Sequence, residues 1–222
     1  MSTPSALRAV DLSRRFGRQW AVRHVSATFE PGTVTALVGD NGAGKSTLLS
    51  LLAGLLRPDE GHVEILGVET AGFHPPELRR QIAHLGHAPF IYTDLSGREN
   101  VSFFERLYGK AAPPDLLRRV GLAEAADRAA RTYSRGMLQR LALARVVLQD
   151  APIWLLDEPT TGLDVHGLAL LRELLATARS AGRTLVAITH DLDALGPIDQ
   201  MLRLTRGRSD SSQAPAPPRG AP

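Results

Sequence analysis

The segment LVGDNGAGKSTLL, residues 37–49, crowds three glycines and one of only two lysines in the chain between two apolar runs. TVTALVG (33–39) is β-branched and apolar and ends in glycine, while KSTLLSLLAGLL (45–56) carries leucines at helical spacing until RPDEG breaks the pattern. The order is therefore strand, tight loop, helix. Gly39-x-x-x-x-Gly44-Lys45-Ser46 has the full spacing of a phosphate-binding P-loop. Small residues let successive main-chain N–H groups turn inward on a phosphate chain, and the helix that follows adds its positive N-terminal end. Gly39, Asn41, Gly42, Ala43, Gly44, Lys45, Ser46 and Thr47 are the expected nucleotide-binding residues. Lys45 supplies a point charge for the β- and γ-phosphates, and the Ser46 hydroxyl a ligand for Mg²⁺. The competing reading is a glycine-rich turn that merely shares the pattern. Chance occurrence of every fixed position in a chain this long is on the order of one per cent, and the match also falls between a strand and a helix.

With 43% hydrophobic residues, 222 residues can bury a core, expected as one domain with an inserted lobe. A net charge of +3 with 22% charged residues gives a mildly basic surface and no nucleic-acid signal. The lack of cysteine excludes disulfides and thiolate metal sites and fits a reducing compartment. The N-terminus lacks the apolar stretch of a secretory signal, and no run approaches the roughly 18 apolar residues of a membrane span, so membranes are expected to enter through a partner. APIWLLD (151–157) and RTLVAITH (183–190) are apolar runs without alternation, as suits strands covered on both faces of a parallel sheet. GMLQRLALARVVLQD (136–150) and VHGLALLRELLATARSAG (165–182) read as the crossover helices. ALRAVDLSRRF, WAVRHVSATFE and GHVEILGVE alternate more, which predicts antiparallel strands at the sheet edge in an N-terminal β subdomain. Short helices between about 89 and 140 form the inserted helical lobe. Residues 208–222, rich in Pro, Ser and Ala, are expected to be a disordered tail beyond a domain of residues 1–207.

IWLLDEP (153–159) ends an apolar strand in two adjacent acids. A carboxylate buried at a strand end is costly unless it meets a cation, so Asp157 is the expected Mg²⁺ partner, directly or through water. Glu158 then faces the γ-phosphate and orients or polarises the attacking water. In isolation, two adjacent acids are more often a solvated strand end; four preceding apolar residues and the P-loop reverse that balance. His190 closes another apolar strand, LVAITHD (185–191). Parallel strands bring their C-terminal ends to one edge, so an imidazole there reaches the γ-phosphate rather than serving structure alone. Lys45, Glu158 and His190 are the candidate catalytic residues, and Ser46 and Asp157 the candidate metal ligands.

TYSRGMLQRLALARVVLQDAPIWLLDEPTTGLD (132–164) resembles the nucleotide-binding subunit of ABC transporters, and the resemblance runs from about residue 6 to residue 207. P-loop, signature, Asp-Glu strand and switch histidine follow in order. The resemblance implies an α/β P-loop NTPase with a mainly parallel RecA-like sheet, using ATP and Mg²⁺. The family signature Leu-Ser-Gly-Gly-Gln stands here as Tyr133-Ser134-Arg135-Gly136-Met137, which keeps the serine and second glycine. Ser134 precedes an amphipathic helix and so reads both as an N-cap and as part of an anion site. The resemblance implies that Ser134, Gly136 and Met137 serve the ATP held by the opposite subunit's P-loop, in a homodimer or heterodimer. It also implies that Phe16 stacks on adenine, with a core aromatic as the alternative, that Val22 lies beside it, and that Asp164 of GLD fixes the loop crossing the interface. In the family a glutamine that ligates Mg²⁺ opens the lobe; Ala88 occupies that slot, leaving water or neighbouring His87 to substitute. The implied activity is ATP hydrolysis driving export through a separate integral membrane subunit, on the cytoplasmic face of the membrane. The P-loop region and LGH segment look similar to the ATPase of cytochrome c biogenesis haem exporters, while YSRGM and TTGLD also occur in drug and polysaccharide exporters of the ABC-2 type. The rivals are a soluble ABC ATPase acting on ribosomes or DNA, which usually carries two modules or long coiled coils, and a P-loop kinase, which needs an acceptor site.

Overall fold

The computed structural model describes residues 5–209. The chain opens with a hairpin, β1 (Leu7–Phe16) and β2 (Gln19–Phe29), paired antiparallel from Leu7 opposite Phe29 to Phe16 opposite Gln19. β3 (Val34–Val38) then leads through the phosphate loop into α1 (Lys45–Leu52). β4 (Glu60–Ile65) and β5 (Val68–Thr70) form a second hairpin, with β4 antiparallel to β1. One helical turn, α2 (Pro76–Arg79), is entered through proline at its first position, where no N–H is missed, and precedes β6 (Ile82–Leu85).

The inserted lobe contains α3 (Gly97–Tyr108) and α4 (Leu116–Arg119). α3 starts where it does because Ser96 and Glu99 form a reciprocal capping box, and it stops at Gly109, which takes the left-handed conformation. α5 (Arg135–Gln149) returns the chain to the sheet. β7 (Ile153–Asp157), α6 (Val165–Ser180), β8 (Thr184–Ile188), β9 (Gln200–Thr205) and β10 (Arg208–Ser209) complete the fold.

Two sheets result. The main one runs β10-β9-β3-β8-β7-β6 and is parallel throughout except for β10 against β9. The other runs β2-β1-β4-β5 and is antiparallel. The early strands thus do not extend the edge of the main sheet, as their alternation suggested, but make a separate sheet whose apolar face covers it. Arg208 and Ser209, grouped with the tail on composition, instead pair with Thr205 and Leu204. The rest of that expected disordered segment, 210–222, lies outside the described residues.

The main sheet separates two apolar layers. Ile153 and Leu155 face a layer with α1 and the antiparallel sheet, whereas Trp154 and Leu156 face α5, α6 and the lobe residues Phe104, Leu116 and Val120. Every residue of β7 and β8 is buried. This double coverage is the reason those strands read as uninterrupted apolar runs.

Candidate active site

β3, β8 and β7 are neighbours and parallel, with Asp157 opposite Ile188 at their C-terminal ends. The phosphate loop after β3, His190 after β8 and the acidic pair at the end of β7 therefore emerge at one rim. There they surround a cleft of about 460 Å³ lined by Asn41, Gly42, Gly44, Lys45, Ser46, Thr47, Asp157, Glu158 and His190.

The loop is held down by close main-chain contacts. A Cβ at Gly39 would lie 2.2 Å from the Leu204 carbonyl oxygen, and one at Gly44 2.0 Å from that of Ala21. Both have positive φ, 148° and 100°. Only glycine permits that conformation at that proximity. Gly39 and Ala43 form the base of the loop rather than its lining: Ala43 is buried in the core, and its N–H donates to the Asp40 carbonyl at 3.1 Å. At the start of α1, Gly44 offers no side-chain cap and the first turn has no acidic residue, so the leading N–H groups face the cleft without a competing carboxylate. The Lys45 ammonium rests against the Gly39 and Asp40 carbonyls at 2.7 and 3.0 Å, poised over the same loop.

At the acidic pair the backbone turns sharply. Glu158 has φ of 51°, a left-handed conformation costly for a non-glycine residue. It is held by its N–H donating to the Ile188 carbonyl at 2.8 Å. Gln139 of α5 adds donation from Nε2 to the Pro159 carbonyl at 3.1 Å. The two acids are consequently directed differently. Asp157 is buried, and its Oδ1 has no hydrogen-bond partner among the described residues. A cation stabilises a buried carboxylate oxygen that has no protein donor, and Ser46 contributes a hydroxyl to the same cleft. Hard oxygen donors of this kind fit Mg²⁺. The Glu158 carboxylate, 16% exposed, meets His190 Nε2 at 3.3 Å, and His190 is 72% exposed at the rim. Carboxylate and imidazole together can orient a water and hold its proton.

The signature residues stand apart from this cleft. Ser134 caps α5, its Oγ accepting from the Met137 N–H at 3.2 Å, which leaves the serine exposed. A Cβ at Gly136 would come within 2.5 Å of the Gly162 carbonyl oxygen, so the glycine lets the start of α5 touch the loop before α6. Asp164 anchors that loop as the N-cap of α6, its Oδ1 accepting from the Gly167 N–H at 2.7 Å. Met137 packs partly buried on the helical layer.

Phe16 is 51% exposed at the hairpin tip with Arg14 over its ring, so it is not a core aromatic. Val22 departs from the sequence reading. It is fully buried in the core, and Ala21 lines the cleft in its place, because adjacent residues of a strand point to opposite faces. Ala88 and His87 are both exposed, and His87, one of the two substitutes the sequence offers for the glutamine, lines the cleft with Asp157 and Glu158. Gln139, Ala21 and Thr161 were not singled out from the sequence; only the apolar spacing of α5, which puts Gln139 near its start, bears on any of them.

The family model for ABC transporters matches residues 22–161. The chain is similar to the ABC transporter ATP-binding protein NatA of Bacillus subtilis, 37% identical over 194 residues that cover 82% of this chain and 78% of that protein. It is also similar to the cytochrome c biogenesis ATP-binding export protein CcmA of Methylococcus capsulatus, 41% identical over 177 residues, 78% of this chain and 85% of that one. Among solved structures, an ATP-binding subunit of an ABC transporter superposes with a TM-score of 0.84 at 29% identity, covering 92% of this chain and 88% of its own. A dimeric ATP-binding cassette in a post-hydrolysis state with ADP and Pi superposes with a TM-score of 0.79 at 26% identity, covering 92% and 96%. Phosphate loop, acidic strand end and rim histidine thus sit on the fold of these proteins, and the chain belongs to the ABC transporter family as an ATP-binding, ATP-hydrolysing subunit.

Proposed function

We propose that the chain powers export by binding and hydrolysing Mg·ATP between two ATPase subunits, with a separate integral membrane subunit carrying the cargo. The observation that carries the site assignment is the buried Asp157 Oδ1 without a donor, next to a Glu158–His190 pair at 3.3 Å. Asp157 and Ser46 would hold Mg²⁺, which when bound neutralises charge on the β- and γ-phosphates. Lys45 and the leading N–H groups of α1 grip the phosphates. Glu158 orients the attacking water, and His190 steadies the carboxylate and donates toward the γ-phosphate. Ser134, Gly136 and Met137, exposed or half-exposed outside the chain's own cleft, serve the nucleotide of the second subunit. Phe16 stacks on the adenine. The domain runs through β10 to about residue 209, with the lobe of about 89–140 inserted in it. No helix among the described residues is long and apolar enough to cross a membrane, which fits attachment through a partner at the cytoplasmic face.

For cargo, we favour the export step of cytochrome c biogenesis, and haem as the substrate that this resemblance implies, on the strength of several CcmA relatives near 40% identity. The comparable likeness to NatA supports the alternative of an exporter of the ABC-2 type.

Glu158→Gln tests the site. The variant should bind Mg·ATP with near-normal affinity, accumulate as an ATP-bound dimer in sedimentation, and hydrolyse about 10²- to 10⁴-fold more slowly, since the amide cannot take a proton. Turnover within a few-fold of the parent would remove Glu158 from its role. Affinity purification from membranes tests the assembly: an integral membrane protein should co-purify, whereas ribosomes or nucleic acid in its place would favour the soluble rival.

A further inference from the structure

At the opposite rim of the main sheet, near the N-terminal ends of β7 and β8, a second cavity of about 480 Å³ opens between the inserted lobe and the helical layer. It shares no lining residue with the nucleotide cleft. Its interior wall is apolar, built from Leu148, Trp154, Leu174 and Ala178, each no more than 5% exposed. Its charged groups are Lys110 and Arg119 from the lobe, Arg183 ahead of β8, and a single carboxylate, Asp150.

That carboxylate is already taken. Arg183 pairs with Asp150 Oδ1, and Lys110 lies 3.6 Å from Oδ2 while donating to the Gln149 carbonyl at 2.9 Å. The Arg183 guanidinium also lies 5.8 Å over the Trp154 ring. The Arg119 side chain has no ion-pair or hydrogen-bond partner among the described residues. The cavity therefore joins an apolar wall to three cations that share one carboxylate, of which Arg119 is the one without a partner among the described residues.

We propose that this cavity binds a small amphipathic organic anion, its apolar body against Trp154 and Leu174 and its anionic group on Arg119. An inorganic anion would leave most of about 480 Å³ unfilled, in a range typical of organic ligands. A neutral apolar molecule would leave Arg119 unpaired. Because the walls come from both the lobe and the helical layer, such a ligand bridges the two parts of the subunit. The proposal does not depend on the nucleotide chemistry above.

The chain has two tryptophans, so a Trp20→Phe background leaves Trp154 as the sole indole reporter. The probes are 8-anilinonaphthalene-1-sulfonate and its uncharged counterpart N-phenyl-1-naphthylamine, titrated into the full chain with and without saturating Mg·ATP. Energy transfer from Trp154 to the sulfonate probe at one saturable site, unchanged by Mg·ATP, is expected. Arg119→Gln should weaken sulfonate binding about tenfold or more, as befits a charge-assisted contact, while leaving the neutral probe within twofold. Arg119→Lys should recover most of the affinity, and an unchanged urea midpoint shows that both variants fold. Absence of transfer from Trp154, displacement by Mg·ATP, or equal sulfonate binding by Arg119→Gln would each overturn the proposal.

Discussion

Gly42 and Gly44 lie two residues apart in one loop, yet they are glycine for different reasons. Gly42 has φ of 78° with no protein atom within 4 Å of the Cβ it lacks, so its surroundings in the protein demand glycine only through conformation. Gly44, at φ of 100°, would in addition drive a methyl group to 2.0 Å from the Ala21 carbonyl oxygen. A left-handed alanine costs about 1–2 kcal/mol, which the first position can absorb in place. The second position must also shift the loop off β2 or distort that strand, and an error of about 1 Å at a site of this kind costs on the order of a hundredfold in rate. Gly42→Ala should therefore lower the urea unfolding free energy by about 1–2 kcal/mol. Gly44→Ala should lose more stability together with most nucleotide affinity. Equal losses in the two variants would show that contact with β2 does not shape the loop. Glu158 shows the reverse economy: its left-handed backbone, without glycine, is held by Ile188 and Gln139 because the turn separates its carboxylate from that of Asp157.

α5 does two things at its first turn, and they can be separated by substitution. The Ser134 hydroxyl caps the helix, while Gly136 allows the Gly162 carbonyl to approach a helix that a methyl group would hold away. Losing the cap in Ser134→Ala should cost about 1 kcal/mol of stability, with Ser134→Thr restoring it. Gly136→Ala leaves the cap intact but pushes on the loop that Asp164 pins to α6. If that loop forms part of the surface between two subunits, Gly136→Ala should leave ATP affinity of the isolated chain unchanged. Turnover should meanwhile fall by about a hundredfold, and nucleotide-dependent dimerisation should weaken. Loss of ATP affinity in the isolated chain would instead place Gly136 at its own cleft. Arg135, where the family signature has glycine, is exposed, and its side chain packs beside Gly162.

Across the whole molecule, what could be read from the chain was whatever local pattern determines. The phosphate loop needs its own residues in fixed order, and unbroken apolar runs require cover on both faces, so the parallel sheet and its active rim followed. What long-range pairing decides was not readable. β1 and β2 change register at three places, each shifting which side chains face inward, so choosing Ala21 over Val22 for the cleft requires knowing those shifts. β10 forms on the edge that β9 offers it, a pairing distant from anything its own composition shows. Buried and partly buried histidines belong to the same class, since seven histidines in a chain do not announce which are enclosed. Burial, and secondarily the charge of Arg145, push the His84 imidazole of β6 down to about 4. Burial also lowers His74, whose ring nitrogens lie 2.8 Å from Thr70 Oγ1 and 3.0 Å from the Leu52 carbonyl oxygen. Both are therefore neutral in the folded protein where the unfolded chain, with an ordinary value near 6.5, takes up protons. Their contribution is full above pH 6.5 and falls as pH drops; for His84 the window closes near 4, below which both states are protonated. For His84 the loss is roughly 2–3 kcal/mol at about 1.36 kcal/mol per unit, so urea midpoints at pH 7.5 and 4.5 should differ by more in the parent than in His84→Gln, whose amide does not titrate. Equal pH dependence in the two proteins would mean that His84 is protonated in place without cost, and that Arg145 and the lobe around it yield to the new charge.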